Sequence, residues 1–116
     1  MKTFILIIGL FSIVQASYQE LLFNGNCVTC HRTDNLNKSA PTIMEIQKRY
    51  KIAFPKKTDF ISFMSEWVYK PNERTSIMQD AIEEYNLMPE LAYDKETLKE
   101  ISEYIYEKEF KNNHTQ

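Results

Sequence analysis

The segment Cys27-Val28-Thr29-Cys30-His31 places two thiols and an imidazole within five consecutive residues. Two residues between the thiols allow both cysteines to lie on one helical turn, so that they reach neighbouring edges of one planar group. Each thiol can add to one vinyl group of haem, and the histidine that follows then lies where a ring nitrogen can bind the iron. The spacing therefore predicts one c-type haem, attached covalently through Cys27 and Cys30, with His31 as its proximal ligand.

A C-x-x-C pair is also found in zinc sites and in thiol redox proteins. A structural zinc site needs further cysteine or histidine ligands, but the chain has only two cysteines, and its other histidine, His114, lies in a polar tail. A thioredoxin-like dithiol needs a βαβ context, and no alternating strand pattern surrounds Cys27 and Cys30. A structural or redox disulfide between these two cysteines stays open as the alternative.

Helical periodicity dominates the rest of the chain, with almost no strand signal. The predicted helices run over Tyr18–Phe23, Ser39–Tyr50, Phe60–Val68 ended by Pro71, Asn72–Asn86, and Asp94–Phe110 with Asp94 as its cap. Their apolar residues recur at i, i+3 and i+4 spacing. The sequence predicts an all-α protein, with about four to five helices around one small core that includes the cofactor.

The first residues have the pattern of an export signal. Lys2 is followed by an apolar run, Phe4–Val14, and by the small-residue cleavage pattern Val14-Gln15-Ala16. The run is shorter than the ~18 residues of a membrane-spanning helix, so a retained anchor is the less favoured alternative. We expect a signal peptide over residues 1–16 that is cleaved after Ala16, a periplasmic location, one domain over 17–111 and a disordered tail over 112–116.

Charge is unevenly distributed along a chain with 14 Lys+Arg and 16 Asp+Glu. Residues 48–57 carry five basic residues and no acid, whereas residues 80–109 carry ten acids and three lysines. Two solvated faces explain this pattern. Alternatively, the acidic face steers docking to a basic partner, or Arg49 or a nearby lysine neutralises a haem propionate. The sequence does not separate these interpretations.

The combined features resemble those of the class I c-type cytochromes, which are small monohaem electron carriers. In that family a short N-terminal helix leads into C-x-x-C-H, a proline follows, a Met-Pro pair lies late in the chain, and a terminal helix crosses the first. The corresponding segments here are Tyr18–Phe23, Cys27–His31, Pro41, Met88-Pro89 and Asp94–Phe110. The resemblance covers nearly all of the chain after residue 16 and implies a cytochrome c-like fold.

The resemblance implies a methionine as the second axial ligand of the iron. Met44, Met64 and Met78 lie on predicted apolar stripes of helices, where a thioether more often fills the core. Met88 instead precedes Pro89 in a break between two predicted helices, because proline holds the chain out of helix there. A loop of this kind carries the distal ligand in the family. Met88 is therefore the predicted ligand, Met78 is the alternative, and an open iron site comes last.

Two further residues take roles from the resemblance alone. The backbone carbonyl of Pro41 would accept a hydrogen bond from the second ring nitrogen of His31 and so orient the imidazole; a proline at a helix start is the simpler explanation. Trp67 would donate its indole N–H to a propionate; a core tryptophan is the simpler explanation. The sequence departs from the family at Ala40, where glycine is common, and in the glycine-free loop before Met88.

Ligation by His and Met leaves the iron no open position and raises its reduction potential. The resemblance therefore implies a soluble periplasmic carrier of single electrons, which is not an enzyme and is monomeric. Its partners would be redox proteins, such as a membrane or periplasmic reductase or oxidase, met in small and short-lived contacts; nucleic acid is not an expected partner. The alternatives are a haem subunit fixed to one enzyme complex and a haem protein that binds a ligand or catalyses a reaction.

Overall fold

The computed structural model describes residues 18–32 and 39–111. The secondary-structure elements within these residues are all helices, as predicted. The helices are α1 (18–26), α2 (Ile43–Ala53), α3 (Lys57–Tyr69), α4 (Gln79–Tyr85) and α5 (Lys95–Glu107), with a 3-10 helix, Glu73–Thr75, before α4. The predicted signal peptide (1–16) and tail (112–116) lie outside the described residues. Within those residues, no helix has both the length and the apolar character needed to cross a membrane.

Helix α1 is longer than predicted, because Asn24-Gly25-Asn26 continues it instead of ending it. The amide of Asn26 donates from Nδ2 to the carbonyl of Leu22 at 2.7 Å. The N–H of Cys27 donates to the carbonyl of Phe23 at 2.9 Å. These two bonds pair carbonyls at the end of the helix. The helix therefore leads directly into the cysteine motif.

The fourth helix is shorter than the predicted Asn72–Asn86, and its first half is not α-helical. The side chain of Asn72 accepts from the N–H of Arg74 at 2.9 Å, and Oγ of Ser76 accepts from the N–H of Met78 at 3.0 Å. Short polar side chains that bond nearby backbone groups compete with helix in this way. As a result, Met78 is the residue before α4 and not part of a helical stripe.

Helix α2 begins at Ile43, four residues later than the predicted start at Ser39. Thr42 is its N-cap, and the threonine side chain accepts from the N–H of Glu45 at 3.3 Å. Pro41 therefore lies before the helix and not in its first turn. The carbonyl of Arg32 accepts from the N–H of Ile43 at 3.3 Å, which joins the segment after the cysteine motif to the start of α2.

One hydrophobic core connects all five helices. Its buried residues are Phe23, Ile43, Ile46, Tyr50, Phe60, Met64, Met78, Ile101 and Ile105, with Ala81 of α4 packed against them. Phe60 of α3 is fully buried, and its ring meets Tyr106 of α5 edge-on with centroids 5.1 Å apart. Phe23 of α1 lies 5.1 Å from the ring of Tyr104, also on α5. The last helix therefore packs on both α3 and α1.

Asp94 is the N-cap of α5, as predicted, and its Oδ1 accepts from the N–H of Thr97 at 2.7 Å. This bond lowers the pKa of the Asp94 carboxyl, so the unfolded chain takes up the proton first as the pH falls. We expect Asp94→Ala to lower the urea midpoint at neutral pH, and Asp94→Asn to lower it less, because asparagine also caps helices. The Asp94→Ala deficit should shrink as the pH falls below the usual aspartate pKa and disappear once the pH is below the lowered pKa of the folded protein; a pH-independent deficit would contradict this assignment.

Candidate functional site

One cleft in the helical fold is lined by the two cysteines, the two axial ligands and the two supporting residues that were predicted for the haem. These residues are Cys27, Cys30, His31, Pro41, Trp67 and Met88. The volume of the cleft, including the part that is open to solvent, is about 1330 Å³. Apolar side chains form most of the remaining wall, among them Ile46, Val68, Leu98 and Ile101. The cleft thus combines sulfur and imidazole groups with an apolar lining.

The cysteine motif forms one tight turn at the end of α1. The N–H groups of Cys30 and His31 both donate to the carbonyl of Cys27, at 3.3 and 2.9 Å. Both cysteines are free thiols, with Cys30 exposed and Cys27 half-buried. Burial, together with the nearby Cys30, raises the pKa of the Cys27 thiol to about 11. A thiol with this pKa is protonated at neutral pH, so Cys27 is not a thiolate in the free polypeptide.

The His31 ring is held in one orientation by Pro41. Its Nδ1 lies 2.9 Å from the carbonyl oxygen of Pro41. A carbonyl only accepts, so Nδ1 carries the proton and donates, which leaves the Nε2 lone pair available for another bond. Burial lowers the pKa of His31, against the opposing effect of this hydrogen bond, and favours the neutral ring. The hydrogen bond that the resemblance implied is therefore present, with the tautomer that metal-binding histidines use.

Three methionines line the cleft, and they differ in what surrounds them. Met64 and Met78 are buried members of the hydrophobic core, with 3% and 6% of their surface exposed. Met88 is half-buried and does not belong to that core. Met44 of α2 does not line the cleft. Of the three methionines that line the cleft, Met88 is thus the one whose side chain is not part of the hydrophobic core.

Trp67 and Arg49, which were candidates for contacting a haem propionate, both donate hydrogen bonds to other groups of the protein. Nε1 of Trp67 donates to the carbonyl of Asn72 at 3.0 Å. The guanidinium of Arg49 donates to both carboxylate oxygens of Asp80 at 2.7 and 2.8 Å, which lowers the pKa of that carboxyl. Arg49 does not line the cleft, whereas Trp67 does. The structure therefore gives a structural partner to each donor, and a propionate contact stays a prediction.

Sequence reasoning missed a contact between Asn26 and Tyr93. The tyrosine hydroxyl lies 2.5 Å from Oδ1 of Asn26, and both residues line the cleft. Asn26 directly precedes Cys27, while Tyr93 ends the non-helical segment 86–93, which we call the Met88 loop. The first helix was predicted to end at Phe23, before Asn26, and the sequence offered no signal for a contact with Tyr93, which is 67 positions away.

The donor set fits a covalently held haem. Haem c takes thioether bonds to two cysteines, an imidazole on the iron and, in many carriers, a methionine sulfur. Cys27, Cys30, His31 and Met88 supply these groups around one apolar cleft. Within residues 18–32 and 39–111, no cluster of three or more His, Cys, Asp or Glu side chains is placed to hold a bare metal ion.

Comparison of the chain with protein-family models, with curated proteins and with solved structures finds no match. The residues of the cleft are therefore what points to a function.

Proposed function

We propose that this chain is a class I c-type cytochrome that carries single electrons between redox proteins of the periplasm. Cys27 and Cys30 would hold one haem c covalently, and His31 and Met88 would be its axial ligands. The observation that carries the proposal is the hydrogen bond from Nδ1 of His31 to the Pro41 carbonyl. It leaves Nε2 unprotonated in the cleft that Cys27, Cys30 and Met88 also line.

The protein would contribute a fixed ligand orientation and an apolar surface to this function. Pro41 fixes the ring plane and tautomer of His31, and a ligand held in this way moves little when charge changes beside it. Apolar side chains such as Ile46 and Ile101 line the cleft and offer surface that a flat apolar macrocycle would cover. When bound, haem would supply an iron that gains and loses one electron. Axial ligands whose orientation the protein already fixes need little rearrangement, so electron transfer to and from the iron would be fast.

The rim of the cleft suits a brief encounter with a partner protein. Leu87 and Leu91, on either side of Met88 and Pro89, are 40% and 36% exposed and line the cleft. Glu83, Glu84 and Glu90 are exposed in or close to the same loop. A small apolar patch with acids nearby supports docking to a redox partner with a basic face, in contacts that release after each transfer.

The test uses the full chain, expressed with a working c-type maturation system. We expect a ferric low-spin spectrum, slow uptake of cyanide, and a reversible one-electron reduction in a potentiometric titration. High-spin ferric iron that binds cyanide readily would contradict the carrier and favour a ligand-binding or catalytic haem protein. Size-exclusion chromatography of the native extract separates a shuttle, which elutes near its monomer mass, from a haem subunit, which elutes with its enzyme.

A further inference from the structure

The Met88 loop is held in a backbone conformation that its own residues disfavour. Asn86, at its start, has φ 71° and ψ 172°, and Ala92, near its end, has φ 59°. Positive φ values are costly for residues with a Cβ atom, and the region that Asn86 occupies is populated almost only by glycine. The segment that carries Met88 is therefore strained at both ends, and something else must hold it in place.

The hydrogen bond between Tyr93 and Asn26 is placed to do this. Nδ2 of Asn26 donates to the carbonyl of Leu22 at 2.7 Å, so the amide oxygen faces away from that carbonyl. This oxygen then accepts from the Tyr93 hydroxyl at 2.5 Å. Because the Leu22 carbonyl can only accept, the orientation of the amide and the direction of the Tyr93 bond are both determined.

Other polar contacts of the Met88 loop are few. Pro89 has no N–H to donate, and Leu87 and Leu91 are partly exposed, at 40% and 36%. Among the residues that the structure describes, no other hydrogen bond joins 87–93 to an element beyond the neighbouring helices. The Tyr93–Asn26 bond thus connects the loop that carries the thioether directly to the residue before Cys27.

We propose that Tyr93 and Asn26 form a positioning pair that holds the strained Met88 loop against the cysteine motif and so keeps the Met88 sulfur in the cleft. The proposal rests on the proposed function only for the role of the sulfur as an iron ligand. The pairing itself concerns the polypeptide. When the hydrogen bond is lost, the strain at Asn86 and Ala92 favours opening of the loop.

The first measurement is displacement of the sulfur by added imidazole in the mature haem protein, followed through loss of the sulfur-to-iron charge-transfer band. We expect Tyr93→Phe to speed displacement about fivefold, the factor that corresponds to loss of one neutral hydrogen bond. The matched control is Tyr106→Phe, which removes a hydroxyl that bonds the Pro55 carbonyl at 3.1 Å, away from the cleft. Displacement in that control should match the unmodified protein.

Strain is tested by Asn86→Gly, since glycine adopts positive φ without penalty. Relief of strain stabilises the closed loop by more than the added flexibility costs, so displacement by imidazole should be slower than in the unmodified protein, by about fivefold. Faster displacement, or none of the expected slowing, would overturn the claim that the loop is strained.

The second measurement does not depend on the iron. Cleavage within residues 87–91 by a protease of broad specificity, read by mass spectrometry, should be about fivefold faster in Tyr93→Phe and unchanged in Tyr106→Phe, because cleavage needs the loop to open. Equal effects of the two variants on both cleavage and displacement would overturn the positioning role. If the unmodified protein lacks the charge-transfer band while Tyr93→Phe still speeds cleavage, the Met88 ligand assignment fails and the positioning pair stands.

Discussion

We expect Met88→Ala to remove the sulfur-to-iron charge-transfer band and to lower the reduction potential by on the order of 100 mV, because a thioether ligand favours ferrous iron. Met88 lines the cleft but stays outside the hydrophobic core, so its loss should affect the iron more than the fold. The ferric variant should also take up cyanide quickly, since one axial position is then open or held by water. Optical spectra and a potentiometric titration measure all three effects.

The matched control is Met78→Leu, because Met78 is the alternative ligand and lines the same cleft. Met78 is buried in the core, and a swap of similar volume there costs less than about 1.5 kcal/mol. We expect this variant to keep the band and the potential. A Met78→Leu protein without the band, together with a Met88→Ala protein that retains it, would reverse the assignment of the distal ligand.

The double variant Cys27→Ser, Cys30→Ser should carry no haem that survives denaturation. Serine cannot form the thioether bonds, so any haem that still binds through His31 is released when the chain unfolds. Each single variant retains one thiol in the turn and serves as a control, with reduced but detectable covalent haem. Haem staining of a denaturing gel makes the measurement; staining of the double variant at the position of the polypeptide would contradict attachment through this motif.

The residues that the sequence selected line one cleft, whereas several of the predicted helix ends were wrong. The members of the C-x-x-C-H motif are adjacent in the chain, and the Met-Pro pair marked a loop, so local signals were enough to select them. Helix ends depended on side chains bonding to backbone groups. Asn26 prolongs α1 by bonding Leu22, whereas Asn72 and Ser76 delay α4 by bonding nearby N–H groups.

Polar contacts that depend on the conformation of loops could not be predicted from the sequence. Trp67 donates to Asn72, and Arg49 pairs with Asp80 across 31 positions, although both had been considered for a propionate. The partner that each of these donors binds depends on the path of the loop between α3 and α4, and the periodicity of apolar residues does not predict that path. The hydrogen bond between Tyr93 and Asn26 is the same kind of contact, and only the three-dimensional structure reveals it.

The central claim is that one haem is bound covalently to this polypeptide, and the intact mass of the exported, mature protein tests it most directly. Expressed with a c-type maturation system, the chain should give a single species equal to residues 17–116 plus one haem, which remains after denaturation and acid-acetone extraction. A mature polypeptide with the mass of the bare chain, or with a disulfide between Cys27 and Cys30 in place of the haem, would contradict the proposal.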